Sequence, residues 1–92
     1  MDGYFIYDDV HCDMHGRFVT FEEALTELKT RANIPWNEEP NRAPCTSWRT
    51  CSRDYSIAKM DYDYHTKMWK QVERTSIVDI SSSGVVWHIK VD

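Results

Sequence analysis

The feature that most constrains this chain is one amphipathic helix signal that begins at Thr20. Thr20 and Glu23 match a capping box, in which a hydroxyl and a carboxylate each accept a hydrogen bond from a backbone N–H at the helix start. Apolar residues then recur on one helical stripe: Phe21, Ala24, Leu25, Leu28 and Ala32. Asn33 suits a left-handed helix end and Pro35 cannot continue the helix, so the pattern predicts a helix over residues 21–32. The stripe of a single helix needs another element to cover, and a sheet is the only candidate of sufficient size.

Strand-like segments lie on both sides of this helix. Residues 4–11 begin with aromatic and branched side chains, which favour a strand, and residues 17–19 predict a short second strand after a turn at Gly16. The segments that follow the helix and its loop are 55–62, 67–74, 77–80 and 85–91. Of these, 67–74 fits either a strand or a short helix, and the others are predicted strands.

This order of elements predicts an α+β fold. Strands that are separated from a single helix along the chain favour an antiparallel sheet, and we expect four to five strands with the amphipathic helix (about 21–32) packed on one face. The segment of about 33–53 holds the three prolines, two of the four tryptophans and two of the three cysteines, and it is predicted to be a long irregular loop. A length of 92 residues suits one core, so residues 1–92 are expected to form a single small domain.

Charge is distributed unevenly along the chain. The net charge is −4 at pH 7, but residues 1–40 carry nine acidic residues against three basic ones, whereas residues 41–92 carry eight basic against six acidic. The negative net charge argues against general nucleic-acid binding, which needs many side chains that neutralise phosphates. An acidic first half is instead suited to a basic protein partner.

The start of the chain and its cysteine count bear on the compartment. The start, MDGYFIYDD, is acidic and lacks the apolar stretch of a signal peptide, and no apolar run is long enough to span a membrane. Three cysteines make an odd count, unlike a secreted disulfide framework. We therefore expect a cytoplasmic protein with free thiols. The alternative is a bridge between Cys45 and Cys51 inside the central loop.

Histidine and cysteine residues raise the question of a metal site. His11, Cys12 and His15 lie close together in sequence, and Cys45 and Cys51 lie in the loop; both residue types suit zinc. The spacing matches neither a C-x2-C pair nor an HExxH motif. Histidines four residues apart converge on a helix, whereas this segment is predicted to be strand and turn. We therefore interpret both histidines as solvated residues of a surface turn and predict no metal ligand.

A cysteine nucleophile is the second chemical possibility. Cys45 or Cys51 could supply a thiolate, with a neighbouring arginine lowering its pKa and His11 or His65 acting as base. No spacing matches a catalytic signature, so the cysteines are predicted to be small packing residues and no catalytic residue is assigned. The three glycines lie too far apart for a phosphate-binding loop, and no cofactor is predicted.

Protein interaction is the function that these observations favour. The loop carries tryptophans and arginines, which are enriched at binding hot spots, and the first half of the chain supplies acidic side chains. The predicted partner-binding residues are Trp36, Arg42, Trp48, Arg49, Arg53, Asp8, Asp9 and Asp13. We expect a small non-enzymatic, intracellular interaction module that binds an unidentified larger protein, such as a bacterial or phage accessory or inhibitor protein.

Three alternatives stay open at this point. The loop tryptophans could fold inward and anchor the loop to the core, with the arginines pairing Glu38, Glu39 or Asp54. A thiol- or zinc-dependent site could be built on Cys45 and Cys51 with a nearby histidine. Single-stranded nucleic acid could stack on the aromatic residues of a sheet face, although the negative net charge disfavours a nucleic-acid partner.

Overall fold

Within residues 2–91, which the computed structural model describes, the chain forms five strands and one helix. The strands are β1 (Asp2–Asp8), β2 (Asp13–Phe18), β3 (Arg53–Asp63), β4 (Met68–Ser81) and β5 (Gly84–Trp87), and the helix is α1 (Phe21–Ala32). All strand pairs are antiparallel, and the order across the sheet is β2-β1-β3-β4-β5. The predicted α+β class, with one helix on an antiparallel sheet, is confirmed.

Helix α1 has the bounds that its sequence pattern predicts. The Thr20 hydroxyl accepts a hydrogen bond from the backbone N–H of Glu23 at 3.1 Å. The Glu23 carboxylate accepts from the N–H of Val19 at 3.2 Å, so it reaches one residue beyond the cap. At the other end, Asn33 has φ −95 and ψ −1, which is a right-handed conformation, and the left-handed helix end that we expected is wrong.

The core lies between α1 and one face of the sheet. Its fully buried residues are Ile6, Ala24, Leu28, Tyr55, Ile57, Ile77, Val78 and Ile80. Ile77 and Val78 both face the core because the pairing of β3 with β4 shifts register there. Elsewhere side chains alternate between the two faces of a strand, so the neighbours of the core residues lie on the opposite face, which we call the open face. Phe5 and Trp69 lie there with ring centroids 5.2 Å apart, so aromatic rings partly cover the open face.

The first hairpin is tighter than its sequence predicts. β1 ends at Asp8 instead of continuing to residue 11, and β2 begins at Asp13 instead of Arg17. The turn between them contains Cys12, whose φ is 53. This turn folds back beside the end of β1, and it carries His11 with it.

The strands of the second half differ from their predicted bounds in two places. β4 joins the ambiguous segment 67–74 and the predicted strand 77–80, because one continuous strand pairs with β3. β5 ends at Trp87, although alternation predicts a strand as far as residue 91. The N–H of the next residue, His88, donates at 2.8 Å to the carbonyl of Ile77 on β4, and the regular ladder ends there.

The segment 33–52 forms turns and bends and is fastened to the end of α1. The side-chain amide of Asn41 donates to the carbonyl oxygens of Arg31 at 2.7 Å and Ile34 at 2.8 Å. Asn41 is only 2% exposed, and its hydrogen bond to Arg31 is buried while that to Ile34 is partly buried. Trp36 packs against the core. The loop is therefore held against the helix C-terminus by both polar and apolar contacts.

Candidate metal centre

A buried ion pair between Asp8 and Arg53 forms the base of the site. Asp8 ends β1, Arg53 begins β3, and Arg53 Nη1 lies 2.9 Å from Asp8 Oδ2. The Asp8 side chain is fully buried and 4% of the Arg53 side chain is exposed. Burial alone would raise the pKa of Asp8, but hydrogen bonds from Arg53, His11 and two backbone N–H groups outweigh burial and lower this pKa. Asp8 is therefore a carboxylate at neutral pH.

His11 lies in the turn after β1 and is oriented by Asp8. Its Nδ1 is 2.5 Å from Asp8 Oδ2, and 13% of its side chain is exposed. An ionised carboxylate only accepts hydrogen bonds, so Nδ1 carries the hydrogen and Nε2 of the neutral ring has the free lone pair. Burial lowers the pKa of His11, but the hydrogen bonds to Asp8 and Cys45 and the charge of Asp8 together outweigh burial, so the pKa is raised overall. Asp8 thus fixes both the tautomer and the direction of the ring.

Two cysteines of the loop lie next to this nitrogen. Cys51 Sγ is 3.1 Å and Cys45 Sγ is 3.8 Å from His11 Nε2. The two sulfur atoms and the nitrogen all lie within 4.8 Å of one another. In a tetrahedral zinc site, bonds of about 2.3 Å to sulfur and about 2.0 Å to nitrogen place these atoms about 3.5 Å apart. The two observed N–S distances fall on either side of that value and are compatible with ligands that share one zinc ion.

The two thiols differ in acidity. Hydrogen bonds to Ser47 and His11 lower the pKa of Cys45 to about 7. The neighbouring Cys45 raises the pKa of Cys51, and burial acts in the same direction. All three cysteines are free thiols in the structure, as predicted. Because metals bind thiolates, Cys45 is the sulfur ligand that is more readily available at neutral pH.

This arrangement has two chemical capacities. Two thiolates and one imidazole suit zinc and leave a fourth coordination position for water or another ligand. The Asp8 carboxylate behind the ring is the kind of partner that orients metal-bound histidines and raises their basicity. Cys51, His11 and Asp8 also form a nucleophile, base and carboxylate series of the type that activates thiols.

His15 does not join the cluster of sulfur and nitrogen atoms. Its ring nitrogens lie 3.0 Å from Arg31 Nη1 and 3.2 Å from the Asp13 carboxylate, and its ring packs edge-on against Tyr55. Burial and the charge of Arg31 lower the pKa of His15. Only 12% of its side chain is exposed. The expectation that His11 and His15 are solvated is therefore wrong, because both rings lie in the contacts between the turn and its neighbours.

The acidic residues predicted to bind a partner have different surroundings. Asp8 and Arg53 both face the core side of the sheet and bond to each other, so a partner could not reach either side chain. Asp9 Oδ1 pairs with Arg74 Nη2 at 2.5 Å, and both residues are partly exposed. Asp13 is 48% exposed and lies 3.5 Å from Arg53. Of the three aspartates, Asp9 and Asp13 are accessible from solvent.

The four other predicted partner-binding residues meet in the loop. The rings of Trp36 and Trp48 are 5.8 Å apart, and the guanidinium groups of Arg42 and Arg49 lie 5.5 Å and 4.6 Å from the Trp48 ring centroid. Arg42 is 48% exposed and forms a loose pair with Glu39 at 3.4 Å. We call Trp36, Trp48, Arg42 and Arg49 the Trp–Arg patch. Its arginines are held by cation–π contacts and remain partly or fully exposed.

Local sequence spacing does not identify the group of His11, Cys45 and Cys51 as candidate metal ligands. Cys45 and Cys51 lie 34 and 40 residues from His11, so no short motif contains the three ligands. The sequence predicts that Asp8 belongs to an acidic surface. In the structure, Asp8 is buried and its carboxylate orients the ring of His11. The one local signal is a three-residue spacing between Asp8 and His11 at a strand end, and that pattern is too common to identify a site.

Comparison with known proteins adds no further assignment. No family model, curated protein or solved structure matches the chain. Within residues 2–91, no helix has the length and apolar character needed to cross a membrane.

Proposed function

We propose that this protein binds a zinc-like divalent metal ion through His11, Cys45 and Cys51. The observation that carries the proposal is the convergence of their three ligand atoms within 4.8 Å of one another. Thiolates and imidazole favour zinc over Mg²⁺ or Ca²⁺, which prefer oxygen ligands. Asp8 supports the proposal because its bond to Nδ1 leaves Nε2 as the ligating nitrogen.

The second thiol favours metal binding over cysteine catalysis. A nucleophilic cysteine needs one thiol beside its base, and Cys51 alone meets that requirement. Cys45 is also within 3.8 Å of the same nitrogen, and its lowered pKa of about 7 makes it a ready thiolate. Two thiols around one imidazole nitrogen are explained by a shared metal ion, whereas a nucleophile–base pair leaves one of them without a role.

A bound metal ion would fasten the loop to the first hairpin. His11 belongs to the turn between β1 and β2, and both cysteines belong to the loop before β3. An ion that binds only the folded chain stabilises it by about 4 kcal/mol when its free concentration is about 1,000 times its Kd. In this proposal the metal has a structural role, and it orders the segment between Cys45 and Cys51.

Metal content tests the proposal directly. Protein purified without added zinc is analysed by elemental mass spectrometry and then titrated with Zn²⁺ against a chromophoric chelator. We expect one tightly bound zinc ion per chain in the wild type, which depends on the thiolates, and loss of that ion in Cys51→Ser and His11→Gln. Cys12→Ser is the matched control, because Cys12 is an exposed free thiol next to His11 and outside the cluster.

Two outcomes would overturn metal binding. One is a wild-type chain that carries no metal and takes up no Zn²⁺ from the chelator. The other is equal loss of metal in Cys12→Ser and Cys51→Ser, which would point to unspecific thiol binding. Circular dichroism of each variant separates loss of a ligand from loss of the fold.

The second candidate function is protein interaction through the Trp–Arg patch. We propose a non-enzymatic, cytoplasmic module that binds a larger protein, of the type found among bacterial and phage accessory or inhibitor proteins. The supporting observation is that Arg42 and Arg49 both rest on Trp48 and keep accessible guanidinium groups. Planar guanidinium groups held in this way can bind carboxylates of a partner through two parallel hydrogen bonds. The free cysteines favour a reducing compartment.

The two functions are compatible because they share one segment. Cys45 and Cys51 enclose Trp48 and Arg49 in sequence, so a metal ion bound by the cysteines would order the patch. Affinity capture from a native lysate at low salt is the test, with Arg49→Ala as the variant and Lys67→Ala as the control. We expect a protein that wild type and Lys67→Ala retain and Arg49→Ala loses. A retained species that nuclease treatment removes would contradict a protein partner.

A further inference from the structure

A second cluster of ligand-type side chains lies on the open face of the sheet. Asp54 of β3 and Asp79 of β4 are directly opposite each other in the ladder. His88 follows β5, and its Nε2 lies 3.0 Å from Asp79 Oδ2. One carboxylate oxygen from each aspartate and one ring nitrogen lie within 4.8 Å of one another. Three separate segments of the chain therefore place two oxygen atoms and one nitrogen atom, all potential metal ligands, close together.

Each of the two carboxylates in this cluster has one oxygen atom without a hydrogen-bond donor among residues 2–91. Oδ1 of Asp54 and Oδ1 of Asp79 are both buried, and within residues 2–91 neither has a hydrogen-bond donor when both carboxyls are ionised. A protonated Asp54 can donate to Asp79, and this hydrogen bond adds to burial, the larger cause, in raising the pKa of Asp54. Like charges directly opposite each other in a sheet are destabilising, and a buried polar atom without a partner carries the full loss of its hydration. Two such atoms on directly opposite residues favour a positive charge between the carboxyls, which a shared proton supplies at low pH and a bound cation would supply when both are ionised.

Within residues 2–91, the neighbouring side chains donate no hydrogen bond to these two Oδ1 atoms. Arg74 donates to Asp9 and, at 3.1 Å, to the hydroxyl of Ser56, and neither of these hydrogen bonds involves Asp54. Asp9 adds a third negative charge that acts on Asp54. His88 is bonded to the other oxygen of Asp79, which leaves both Oδ1 atoms without a donor in the part of the chain that the structure describes.

We propose that Asp54, Asp79 and His88 bind a divalent cation at a site separate from the thiolate centre. The mixed oxygen and nitrogen ligand set suits a Mn²⁺- or Fe²⁺-type ion, whereas the two sulfurs of the first site suit zinc. The cation would bind both Oδ1 atoms and offset the repulsion between the facing carboxylates. Water molecules would complete its coordination, as is usual for ions held by few carboxylates.

The two sites lie on opposite faces of the same strand end and share no ligand. Arg53 points to the core side, where it bonds Asp8, and Asp54 is the next residue along β3 and points to the open face. Asp8 Oδ1 accepts a hydrogen bond from the backbone N–H of Asp54 at 3.2 Å. Because the ligand sets differ in residues and in chemistry, either site can be removed without deleting a ligand of the other.

Mn²⁺ is the probe, because it is paramagnetic and prefers oxygen and nitrogen to thiolate. Free Mn²⁺ is measured by electron paramagnetic resonance during titration of the full wild-type chain, and amide NMR signals report where the ion binds. We expect one bound Mn²⁺ per chain, with line broadening centred on residues 54, 79 and 88. Asp79→Asn should weaken binding by about tenfold or more, and Cys51→Ser should leave it unchanged.

Glu73→Gln is the matched control, because Glu73 is an exposed carboxylate of β4 outside the cluster. Asp79→Asn preserves the side-chain shape and relieves the repulsion with Asp54, so the variant is expected to fold. Three results would overturn the proposal: no Mn²⁺ binding by the wild type, unchanged binding by Asp79→Asn, or equal weakening by Glu73→Gln. The last result would indicate diffuse attraction to an acidic surface.

Discussion

Arg53 and Asp8 are 45 residues apart in sequence, yet Arg53 Nη1 lies 2.9 Å from Asp8 Oδ2 in the interior of the protein. Arg53 also donates to the backbone carbonyl oxygens of Asn41 at 3.3 Å and Arg42 at 3.0 Å. Asp8 in turn orients His11. One buried ion pair therefore connects the end of β1, the start of β3, the irregular loop and the histidine of the candidate metal centre.

Replacing Arg53 tests the energetic importance of this pair. Arg53→Met should lower the free energy of unfolding by about 3–5 kcal/mol, because it leaves the Asp8 carboxylate buried without its partner. Urea unfolding followed by circular dichroism measures the change. Arg42→Met is the matched control, since Arg42 pairs with Glu39 at the surface and should contribute much less. Similar losses in both variants would contradict a special role for the buried pair.

Asn41 is predicted to hold the loop against the helix. Asn41→Ala should lower the free energy of unfolding by about 1–3 kcal/mol, because it leaves the buried carbonyl oxygen of Arg31 and the partly buried one of Ile34 without this donor. Asn33→Ala is the control, because the Asn33 amide donates to the Lys29 carbonyl at 3.3 Å in an exposed position. Thermal unfolding compares the variants. If Asn33→Ala were the more destabilised protein, the loop anchor would be assigned to the wrong residue.

The acidity of Cys45 gives a prediction about thiol reactivity in metal-free protein. Alkylation of Cys45 by iodoacetamide should be half-maximal near pH 7, because hydrogen bonds to Ser47 and His11 lower its pKa to about 7. Peptide mapping by mass spectrometry follows this cysteine separately, with exposed Cys12 as an internal reference. Ser47→Ala should move the midpoint to higher pH, since the hydrogen bond to Ser47 contributes most to the shift. A midpoint that does not move would exclude that hydrogen bond.

Asp54 is expected to make stability fall as the pH rises. Burial and the facing Asp79 raise the pKa of Asp54 from 3.8 to about 6. Because the folded-state pKa is the higher one, the protonated carboxyl stabilises the fold fully below about pH 4, and this contribution is lost as the pH rises through about 6. In the presence of a chelator, Asp54→Asn should have a higher Tm than the wild type at neutral pH. This difference should disappear towards pH 4, and a constant difference would disprove the linkage.

Local sequence signals predict the helix better than they predict the strand ends. The capping box and the apolar stripe act within a few residues, so α1 has its predicted bounds. The ends of β4 and β5 depend on which strand lies beside them. The segment 67–74 becomes part of one long strand because β3 extends far enough to pair with it, and β5 is short because the ladder with β4 ends after Trp87.

Local sequence signals predict the candidate metal centre even less well than the strand ends. The sequence suggests possible metal ligands or catalytic groups at His11, Cys45 and Cys51, but their spacing fits no known motif. Their convergence depends on the turn after β1 and on the path of a loop without regular structure. The sequence does not predict that Asp8 is buried either, because an aspartate at a strand end can face either solvent or the core.

Taken alone, the chain's pattern of apolar residues determines an α+β domain with one helix on an antiparallel sheet, because helical and strand periodicity are local properties. Only the tertiary structure decides that Asp8 and Arg53 lie inside and that His11 meets Cys45 and Cys51. It also decides that Asp54 faces Asp79 across two strands. These contacts are set by strand register and by the route of the loop, and both depend on residues distant in sequence that pack together at once.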